Sequence, residues 1–352
     1  MGAYCIVGLG GVGSLLAYYV YRGTGDTPIA VVRRRSQAMR LQAGLRLYGV
    51  VDAYVPLEPY VGTPPRGCRL SFISVKAYDA AAAVESAAEF SEMVAVAGNG
   101  WGGYEKALEL GVDAAAIVVE SGVASLEPGL ARVAGLGRFI VGSRGGVSGA
   151  AFEAFEILRR GGAPALLAGD IEAWRWLKAA ANSAINLVTT ILGSRNGFVV
   201  ENREAWRLAS RAASEVGLVA SMLGYSLPED PVEYTRLVAL QTYDNESSTL
   251  QDLRRCRRSE APYIAGRVVE EASRLGVGAP TVEALYSLLQ ALFALKCGSM
   301  ERLNRSPKPC LHVTNYGKLC RARLGSSRSP RGCLRKPLGA SLGNPGVTGL
   351  GL

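Results

Sequence analysis

Three polar side chains share one face of an otherwise apolar helical stretch. The segment KAAANSAIN, residues 178–186, carries Lys178, Asn182 and Asn186 at intervals of four. On a helix such residues stack above one another, and Asn is a poor residue for a helix interior. We interpret the column as the wall of a cleft, in which the lysine donates a proton to a ligand oxygen and the amides hold a carboxylate or hydroxyl. The alternative is a snorkelling lysine with two surface amides.

A glycine-rich turn follows the first predicted strand. Residues 4–7 are apolar, and GLGGVG (8–13) leads directly into the helical pattern SLLAYYVYR. A strand, GxGxxG and a helix in this order predict a dinucleotide-binding turn, in which Gly8 forms the tight turn, Gly10 admits a pyrophosphate and Gly13 permits close helix packing. The phosphates would lie over the helix N-terminus. The candidate cofactor contacts are Gly8, Leu9, Gly10, Gly11, Val12 and Gly13.

Arginines follow the second predicted strand. Residues 29–32 run into Arg33, Arg34 and Arg35. An acidic residue here would bind the ribose hydroxyl of NAD, whereas an arginine suits the 2′-phosphate of NADP. We therefore predict NADP as the cofactor, with Arg33 as the first candidate contact. NAD stays open as an alternative, because these arginines can also form a solvated basic loop.

Strand and helix patterns alternate through the rest of the N-terminal half. Predicted strands at 70–75, 93–98 and 115–120 alternate with helices at 79–90 and 103–110, and a loop is expected after residue 120. This alternation predicts a Rossmann-type, doubly wound parallel sheet. Lys76 and Asn99 follow strand ends, where such sheets bind ligands. They can be simple cap residues, but together they favour a cofactor or substrate contact.

The C-terminal half carries helical patterns only. We predict a Rossmann-type domain over residues 1–169, an all-α domain over 170–298 and a disordered basic tail over 299–352. Helices are expected at roughly 171–192, 203–223, 231–241, 260–275 and 281–296.

Further polar residues lie between the predicted helices of the C-terminal half. Asn196 lies in SRNG, Asn245 and Ser248 lie in NESSTLQD, and Glu260 lies in RRSE. Helix capping is the default interpretation for Asn245 and Ser248, and Glu260 can favour the start of a helix. For Asn196 the alternative to a site residue is an ordinary Asn-Gly turn.

Composition excludes several classes of site. The chain has one histidine, His312, so a catalytic triad or a His-rich metal site is nearly excluded, and we predict no metal. The seven cysteines contain no CxxC pair, so we expect reduced thiols. Cys310, His312, Cys320 and Cys333 do not match a zinc spacing. No signal peptide or membrane-spanning stretch is present in the pattern, which favours a soluble, cytoplasmic protein.

The net positive charge of the chain comes from its C-terminal end. Residues 301–352 contain ten Lys and Arg and one acidic residue, so they carry the whole net charge of +9. We favour a solvated tail over a polyanion-binding arm. Nucleic acid and membranes are therefore not expected partners of the body of the protein.

Taken together, these motifs resemble the ketopantoate reductase (2-dehydropantoate 2-reductase) family over about residues 3–295. The resemblance rests on GLGGVG, VKAYD, GNG, DIEAWRWLKAAANSAIN, SRNG and NESSTLQDLRRCRRSE. It implies NADPH-dependent reduction of ketopantoate to pantoate in pantothenate and coenzyme A biosynthesis, with Lys178 as the proton donor. The tail after about residue 300 has no counterpart in the family. A homodimer is compatible with a helical second domain.

The resemblance also implies roles for single residues. Asn99 would touch both substrate and nicotinamide, Arg33 the 2′-phosphate, and Lys76 and Glu260 the cofactor. Val123 would contact the cofactor, although its segment ESGV departs from the small, hydroxyl-rich version of the family. The implied substrate-binding residues are Lys178, Asn99, Asn182, Asn186, Asn196, Asn245 and Ser248.

Three other functions stay open at this point. The nearest is an NADP-dependent reductase of another branched 2-keto acid. A second is a protein that senses NADP without catalysis, which would have no need of a proton donor. A third is a nucleic-acid-binding module that depends on the basic tail.

Overall fold

The strands of the residues that the structure describes form two sheets. The computed structural model describes residues 2–298. Its strands are β1 (Ala3–Val7), β2 (Ile29–Val32), β3 (Leu45–Gly49), β4 (Ala53–Val55), β5 (Glu58–Val61), β6 (Cys68–Ile73), β7 (Ser91–Val96), β8 (Asp113–Val119), β9 (Gly122–Glu127), β10 (Leu130–Gly135), β11 (Phe139–Gly142) and β12 (Ala165–Leu167).

Thirteen α-helices lie in the described residues. They are α1 (Gly11–Thr24), α2 (Arg35–Leu41), α3 (Ala77–Ala88), α4 (Gly103–Glu109), α5 (Gly149–Arg160), α6 (Ile171–Ala181), α7 (Leu187–Leu192), α8 (Phe198–Glu201), α9 (Arg203–Met222), α10 (Pro231–Gln241), α11 (Ser248–Arg254), α12 (Ala261–Leu275) and α13 (Pro280–Cys297). Within residues 2–298, none of the helices combines the length and the apolarity that a membrane crossing requires.

The main sheet has the strand order of a dinucleotide-binding fold. Its eight strands run β12-β11-β8-β7-β6-β1-β2-β5. The six strands from β8 to β5 are parallel to their neighbours, and β11 is antiparallel to β8. The order reverses between β1 and β6, which is where such sheets bind ligands. The predicted doubly wound α/β domain followed by helices is thus confirmed.

A second, smaller sheet was not predicted. It has four strands in the order β4-β3-β10-β9 and contacts α1. The prediction of a loop after residue 120 is wrong, since β9 begins at Gly122. The strands of this sheet are three to six residues long, and β9 is mostly exposed, so its sequence lacks the apolar alternation that marks a half-buried strand.

Apolar side chains cover both faces of the main sheet. One cluster joins the sheet to α1, α5 and the small sheet, and includes Phe72, Leu15 and Phe139. The other joins it to α3 and α4 and includes Val84 and Tyr104. A strand buried on both faces needs a nearly continuous apolar run, which explains why β1, β2 and β8 were readable from sequence.

The helical half packs around α9. This helix contacts α6, α10, α12 and α13, and its buried face is built largely from alanines, among them Ala205, Ala209, Ala212 and Ala213. Small side chains allow neighbouring helix axes to approach closely. The predicted helix over 171–192 is one continuous rod, but a π-helical segment, Asn182–Asn186, separates α6 from α7.

Two disulfide bonds contradict the expectation of reduced thiols. Cys5 on β1 is bonded to Cys68 on β6, and Cys256 is bonded to Cys297 at the end of α13. The Cα atoms lie 6.0 and 5.4 Å apart, which are ordinary disulfide separations. Pairing of residues 63 and 41 positions apart depends on the tertiary fold, which cysteine spacing does not report. The other three cysteines and His312 lie outside the described residues, as does the predicted tail from 299 to 352.

Candidate functional site

The polar column of the opening motif lies on α6 and the π segment. Lys178, Asn182 and Asn186 are half-buried, while Leu177, Ala181 and the residues between the two amides are buried. The Asn186 amide donates to the Asn182 carbonyl oxygen at 3.4 Å. The column is therefore an accessible polar stripe on a helix that is otherwise packed in the core. π segments within α-helices often occur at functional sites.

Lys178 reaches the main sheet. Its ammonium donates to the backbone carbonyl of Val119, the last residue of β8. Burial lowers the pKa of Lys178 to about 8, although Glu120 and Glu260 act in the opposite direction. No carboxylate of residues 2–298 lies within ion-pair distance of this ammonium. Lys178 therefore can release a proton near neutral pH, as a general acid must.

A pocket brings the column together with the end of another strand. Asn99 follows β7 and lines this pocket together with Lys178 and Asn182. Most other lining residues are small or apolar, such as Val75 and Ile264. A largely apolar pocket with a few convergent polar groups has the chemistry expected of a small-molecule site. The structure thus places three of the predicted site residues around one cavity.

The glycine turn fits a dinucleotide pyrophosphate. Gly8 has a φ of +89°, and a Cβ there would lie 2.6 Å from Val75. A Cβ on Gly13 would overlap the carbonyl oxygen of Gly8. At Gly10, in contrast, no described atom lies within 4 Å of a Cβ position, so the backbone faces open space. The free N–H groups of the first turn of α1 follow directly, as an anion site requires.

Val123 lies beside the same turn. A Cβ on Gly11 would overlap the Val123 carbonyl oxygen, so β9 runs directly against the start of α1. Leu9 and Val12 are partly buried and pack against the core of the main sheet. The unforeseen small sheet therefore positions the Val123 segment at the predicted cofactor site. Its contact with a cofactor stays a prediction.

Arg33 extends from the end of β2 into solvent. Its side chain is 76% exposed and forms a 2.9 Å ion pair with Asp79 on α3. Arg34 occupies the N-cap position of α2, and Arg35 begins that helix. Of the three arginines, Arg33 is thus the one held at the sheet edge. Its exposed guanidinium has donors available for a phosphate.

Lys76 joins the two halves of the molecule. It occupies the N-cap of α3, but its ammonium contacts Glu260 at 2.8 Å and Asp252 at 3.3 Å. Burial alone would lower the pKa of Lys76, but the two carboxylates outweigh burial and raise it. The second carboxylate oxygen of Glu260 accepts the backbone N–H of Ala77 at 3.0 Å. Glu260 therefore caps α3 from the helical half rather than capping its own helix.

Asn196, Asn245 and Ser248 lie around the loop before α11. The backbone N–H of Asn196 donates to the carbonyl of Asn245, and its side-chain amide donates to Thr242. The side-chain oxygen of Asn196 is buried without a hydrogen-bond partner among residues 2–298. Asn245 is exposed, and its amide nitrogen lies 3.8 Å from a Cβ position on Gly122. This places Asn245 next to β9 and hence on the side of the glycine turn.

The default capping interpretation of this loop is wrong. The N-cap of α11 is Ser247, whose hydroxyl accepts the N–H of Leu250. Ser248 is the first helical residue and is exposed, and Asn245 lies before the cap. Neither side chain caps the helix, so the polar groups of both are available to bind a ligand. Whether they bind one stays a prediction.

Comparisons with known proteins agree with this geometry. The family model described as "Ketopantoate reductase PanE/ApbA" matches residues 4–146, and "Ketopantoate reductase PanE/ApbA C terminal" matches residues 170–293. A 2-dehydropantoate 2-reductase of Pyrobaculum aerophilum is 37% identical over 84% of this chain and 99% of its own length. That of Archaeoglobus fulgidus is 33% identical over 82% of this chain and 96% of its own. The chain belongs to the ketopantoate reductase family.

Solved structures share the fold of this family member. A PanE/ApbA family ketopantoate reductase from Ralstonia eutropha has a TM-score of 0.74 at 24% identity, covering 84% of this chain and 99% of its own. A D-mandelate dehydrogenase, solved with NADH and anilino(oxo)acetate, has a TM-score of 0.75 at 19% identity. It covers 86% of this chain and 100% of its own. At these identities the likeness shows the fold.

Two buried charged residues are not among the predicted site residues, although each contacts the pocket or a predicted site residue. Arg175 lines the pocket and is buried, one turn before Lys178. Asp252 is buried at 8% exposure and contacts Lys76. The signal for Arg175 was present, since an arginine inside the apolar stretch EAWRWLK requires a buried partner. Asp252 gave no such signal, because its partner is 176 residues away.

Proposed function

We propose that this chain reduces 2-dehydropantoate to pantoate with NADPH, in the pathway to pantothenate and coenzyme A. Membership of the ketopantoate reductase family supports the reaction. The observation that carries the proposal is the position of Lys178, whose ammonium lies at the carboxyl end of β8 in a pocket shared with Asn99 and Asn182.

Lys178 acts as the general acid. Its bond to the Val119 carbonyl fixes the direction of the ammonium and leaves two further N–H groups for a substrate oxygen. A positive charge in a partly desolvated pocket stabilises negative charge on the C2 oxygen as it develops. Because burial lowers the pKa of Lys178 to about 8, proton transfer to that oxygen is feasible at neutral pH.

The amides and hydroxyl around the pocket orient the substrate. Asn182 and Asn186 present amide donors next to Lys178, which can hold the carboxylate and hydroxyl groups of a keto acid. Asn99, which follows β7, lines the same pocket as Lys178 and Asn182. The remaining proposed substrate contacts are Asn196, Asn245 and Ser248.

The glycine turn and Arg33 bind the cofactor. Bound NADPH supplies the hydride for C2. Gly8 to Gly13 cradle the pyrophosphate, and Arg33 contacts the 2′-phosphate, which gives NADPH preference over NADH. Lys76, Glu260 and Val123 complete the proposed cofactor site. We also keep a homodimer and a cytoplasmic location as predictions.

The test is loss of NADPH absorbance when the purified chain is mixed with NADPH and ketopantoate. Ketoisovalerate, which lacks the hydroxyl that the amides would bind, serves as the matched substrate. We expect a higher kcat/KM for ketopantoate, because a site built to bind a hydroxyl rejects the analogue that lacks it. Equal values would favour a general branched 2-keto acid reductase. Binding of NADPH without oxidation by either keto acid would favour a sensor.

A further inference from the structure

Arg175 is the buried cation nearest to Lys178 along the chain, and it lies in the wall of the same pocket. Its guanidinium donates to Glu172 on its own helix and to Glu105 on α4, both at 2.7 Å. It also donates to the backbone carbonyl of Gly100 at 3.1 Å. One side chain therefore links the Lys178 helix to the loop that carries Asn99.

The loop at residues 99–102 has several other fixed points. Trp101 donates its backbone N–H to the Tyr263 carbonyl at 3.1 Å. Gly100 has a φ of +78° and lies so close to Tyr263 that a Cβ would overlap the carbonyl oxygen of that residue. The carboxylate of Glu105 accepts the N–H of Gly102 at 2.6 Å and the guanidinium of Arg175. Arg175 is thus the charged centre of a network that defines the backbone directly after Asn99.

Aromatic rings enclose the guanidinium of Arg175. It lies 5.4 Å from the ring centre of Trp101 and 5.3 Å from that of Tyr104. Trp101 in turn packs on Trp176 at 4.7 Å. Contact with the two rings, together with the planar fork of donors, fixes both the position and the orientation of the Arg175 guanidinium. One guanidinium nitrogen serves both carboxylates and the other serves Gly100, whereas a lysine has a single nitrogen in place of this fork.

We propose that Arg175 is a positioning residue that holds the loop of Asn99 in place in the pocket that Asn99 shares with Lys178. This rests on the proposed function for the role of Asn99. Positioning matters because a displacement of about 1 Å in a reacting group can lower a rate about 100-fold. The Arg175 side chain does not need to touch substrate or cofactor to have this effect.

The first test compares arginine-to-lysine substitutions at two positions that share Glu172 as a partner. Arg144, which is half exposed, also donates to Glu172, at 3.0 Å, but has no side-chain bond to the Asn99 loop. We expect Arg175→Lys to lower kcat/KM for ketopantoate at least about tenfold, whereas Arg144→Lys should stay within about twofold of the parent chain. Near-parental kcat/KM in Arg175→Lys would overturn the proposal.

The second test asks whether Arg175 acts through Asn99. In a chain that already carries Asn99→Ala, adding Arg175→Lys should lower kcat/KM by no more than about twofold, because coupled residues are not additive. An undiminished tenfold loss in that background would show a role independent of Asn99 and would also overturn the proposal.

A third measurement separates this inference from the proposed function. The parent chain, Arg175→Lys, Asn99→Ala and the double variant are titrated with NADPH by tryptophan fluorescence, without substrate. We expect Arg175→Lys to weaken NADPH binding about threefold in the parent chain and not in the Asn99→Ala chain. If the parent chain reduces no ketopantoate, the proposed function fails, while this titration still decides the role of Arg175. Additive effects on the dissociation constant would reject it.

Discussion

Lys178 and Lys76 both lie at the carboxyl edge of the main sheet, yet their surroundings give them opposite properties. Lys178 donates to a backbone carbonyl and has a pKa lowered to about 8 by burial. Lys76 is also desolvated, but it lies between Glu260 and Asp252 and its pKa is raised. The difference indicates that its partners, and not burial alone, set the direction in which the pKa of a lysine shifts.

The largest effect should come from Lys178→Ala. Loss of a positioned general acid lowers turnover at least about 100-fold. The melting temperature should fall little or rise, because the substitution removes a partly desolvated ammonium. Steady-state NADPH oxidation and thermal unfolding measure the two quantities. Lys296→Ala, at an exposed lysine of α13, is the control. Turnover close to that of the control would mean that Lys178 is not the acid.

Lys76→Met should have its main effect on stability. It leaves Glu260 and Asp252 without their cation, and we expect a loss of about 1–3 kcal/mol in the free energy of unfolding. The expected loss is no larger than that for breaking a fully buried ion pair, because the Lys76 side chain is 39% exposed and solvent partly screens its charge. Urea denaturation at pH 7 measures the change. Lys106→Met, which breaks ion pairs on the surface of α4, should move the urea midpoint less. A larger shift of the urea midpoint in Lys106→Met than in Lys76→Met would contradict this prediction.

Arg33 adds a third cation at this edge, one that is mostly in solvent. Arg33→Gln should raise the KM for NADPH about tenfold, the loss expected for one charge-assisted phosphate contact, and should leave the KM for NADH unchanged. Arg40→Gln, at a similarly exposed arginine paired with Glu127, should change neither value. Equal changes in the KM for NADPH and the KM for NADH would show that Arg33 does not recognise the 2′-phosphate.

The smallest expected effect is on the pH dependence of kcat/KM. As the donor is the ammonium, kcat/KM for reduction should be highest below the pKa of Lys178 and should fall as pH rises through about 8. Glu120 favours the charged form of Lys178, so Glu120→Gln should move this descending limb to lower pH by about half a unit.

A neighbouring carboxylate provides the control for the pH profile. Glu229 also binds Arg138, as Glu120 does, but it is not among the groups that affect the pKa of Lys178. Glu229→Gln should therefore leave the limb in place. A shift of the same size in both variants would point to Arg138, rather than the Glu120 charge, as the cause.

Local patterns in the sequence predicted the parts of the site that depend on neighbouring residues. The Gly8 turn follows from a strand, a glycine pattern and a helix in sequence, and the Lys178 column follows from a spacing of four. Both were found because short-range geometry fixes them. The parallel sheet was predictable for the same reason, since its buried strands are continuous apolar runs.

Long-range pairings were not predictable from these patterns. The Lys76–Glu260 ion pair joins residues 184 positions apart, and the disulfide of Cys5 and Cys68 joins two strands of one sheet. Nothing local distinguishes Glu260 at the start of α12 from an ordinary first-turn carboxylate. The π segment was missed because residues spaced by four give the same pattern in a regular helix.

The π segment also predicts how the chain responds to a change in length. A single-turn π bulge holds more residues per turn than an α-helix. The segment therefore holds one residue more than a regular helix would over nearly the same rotation. Deleting one residue between Asn182 and Asn186 would allow the rod to continue as a regular α-helix, with α7 and the loop of Asn196 still facing nearly the same way relative to α6. In an α-helical part of the same rod, a deletion would instead turn everything after it by about 100°, so this segment should tolerate the loss of one residue far better than α6 does.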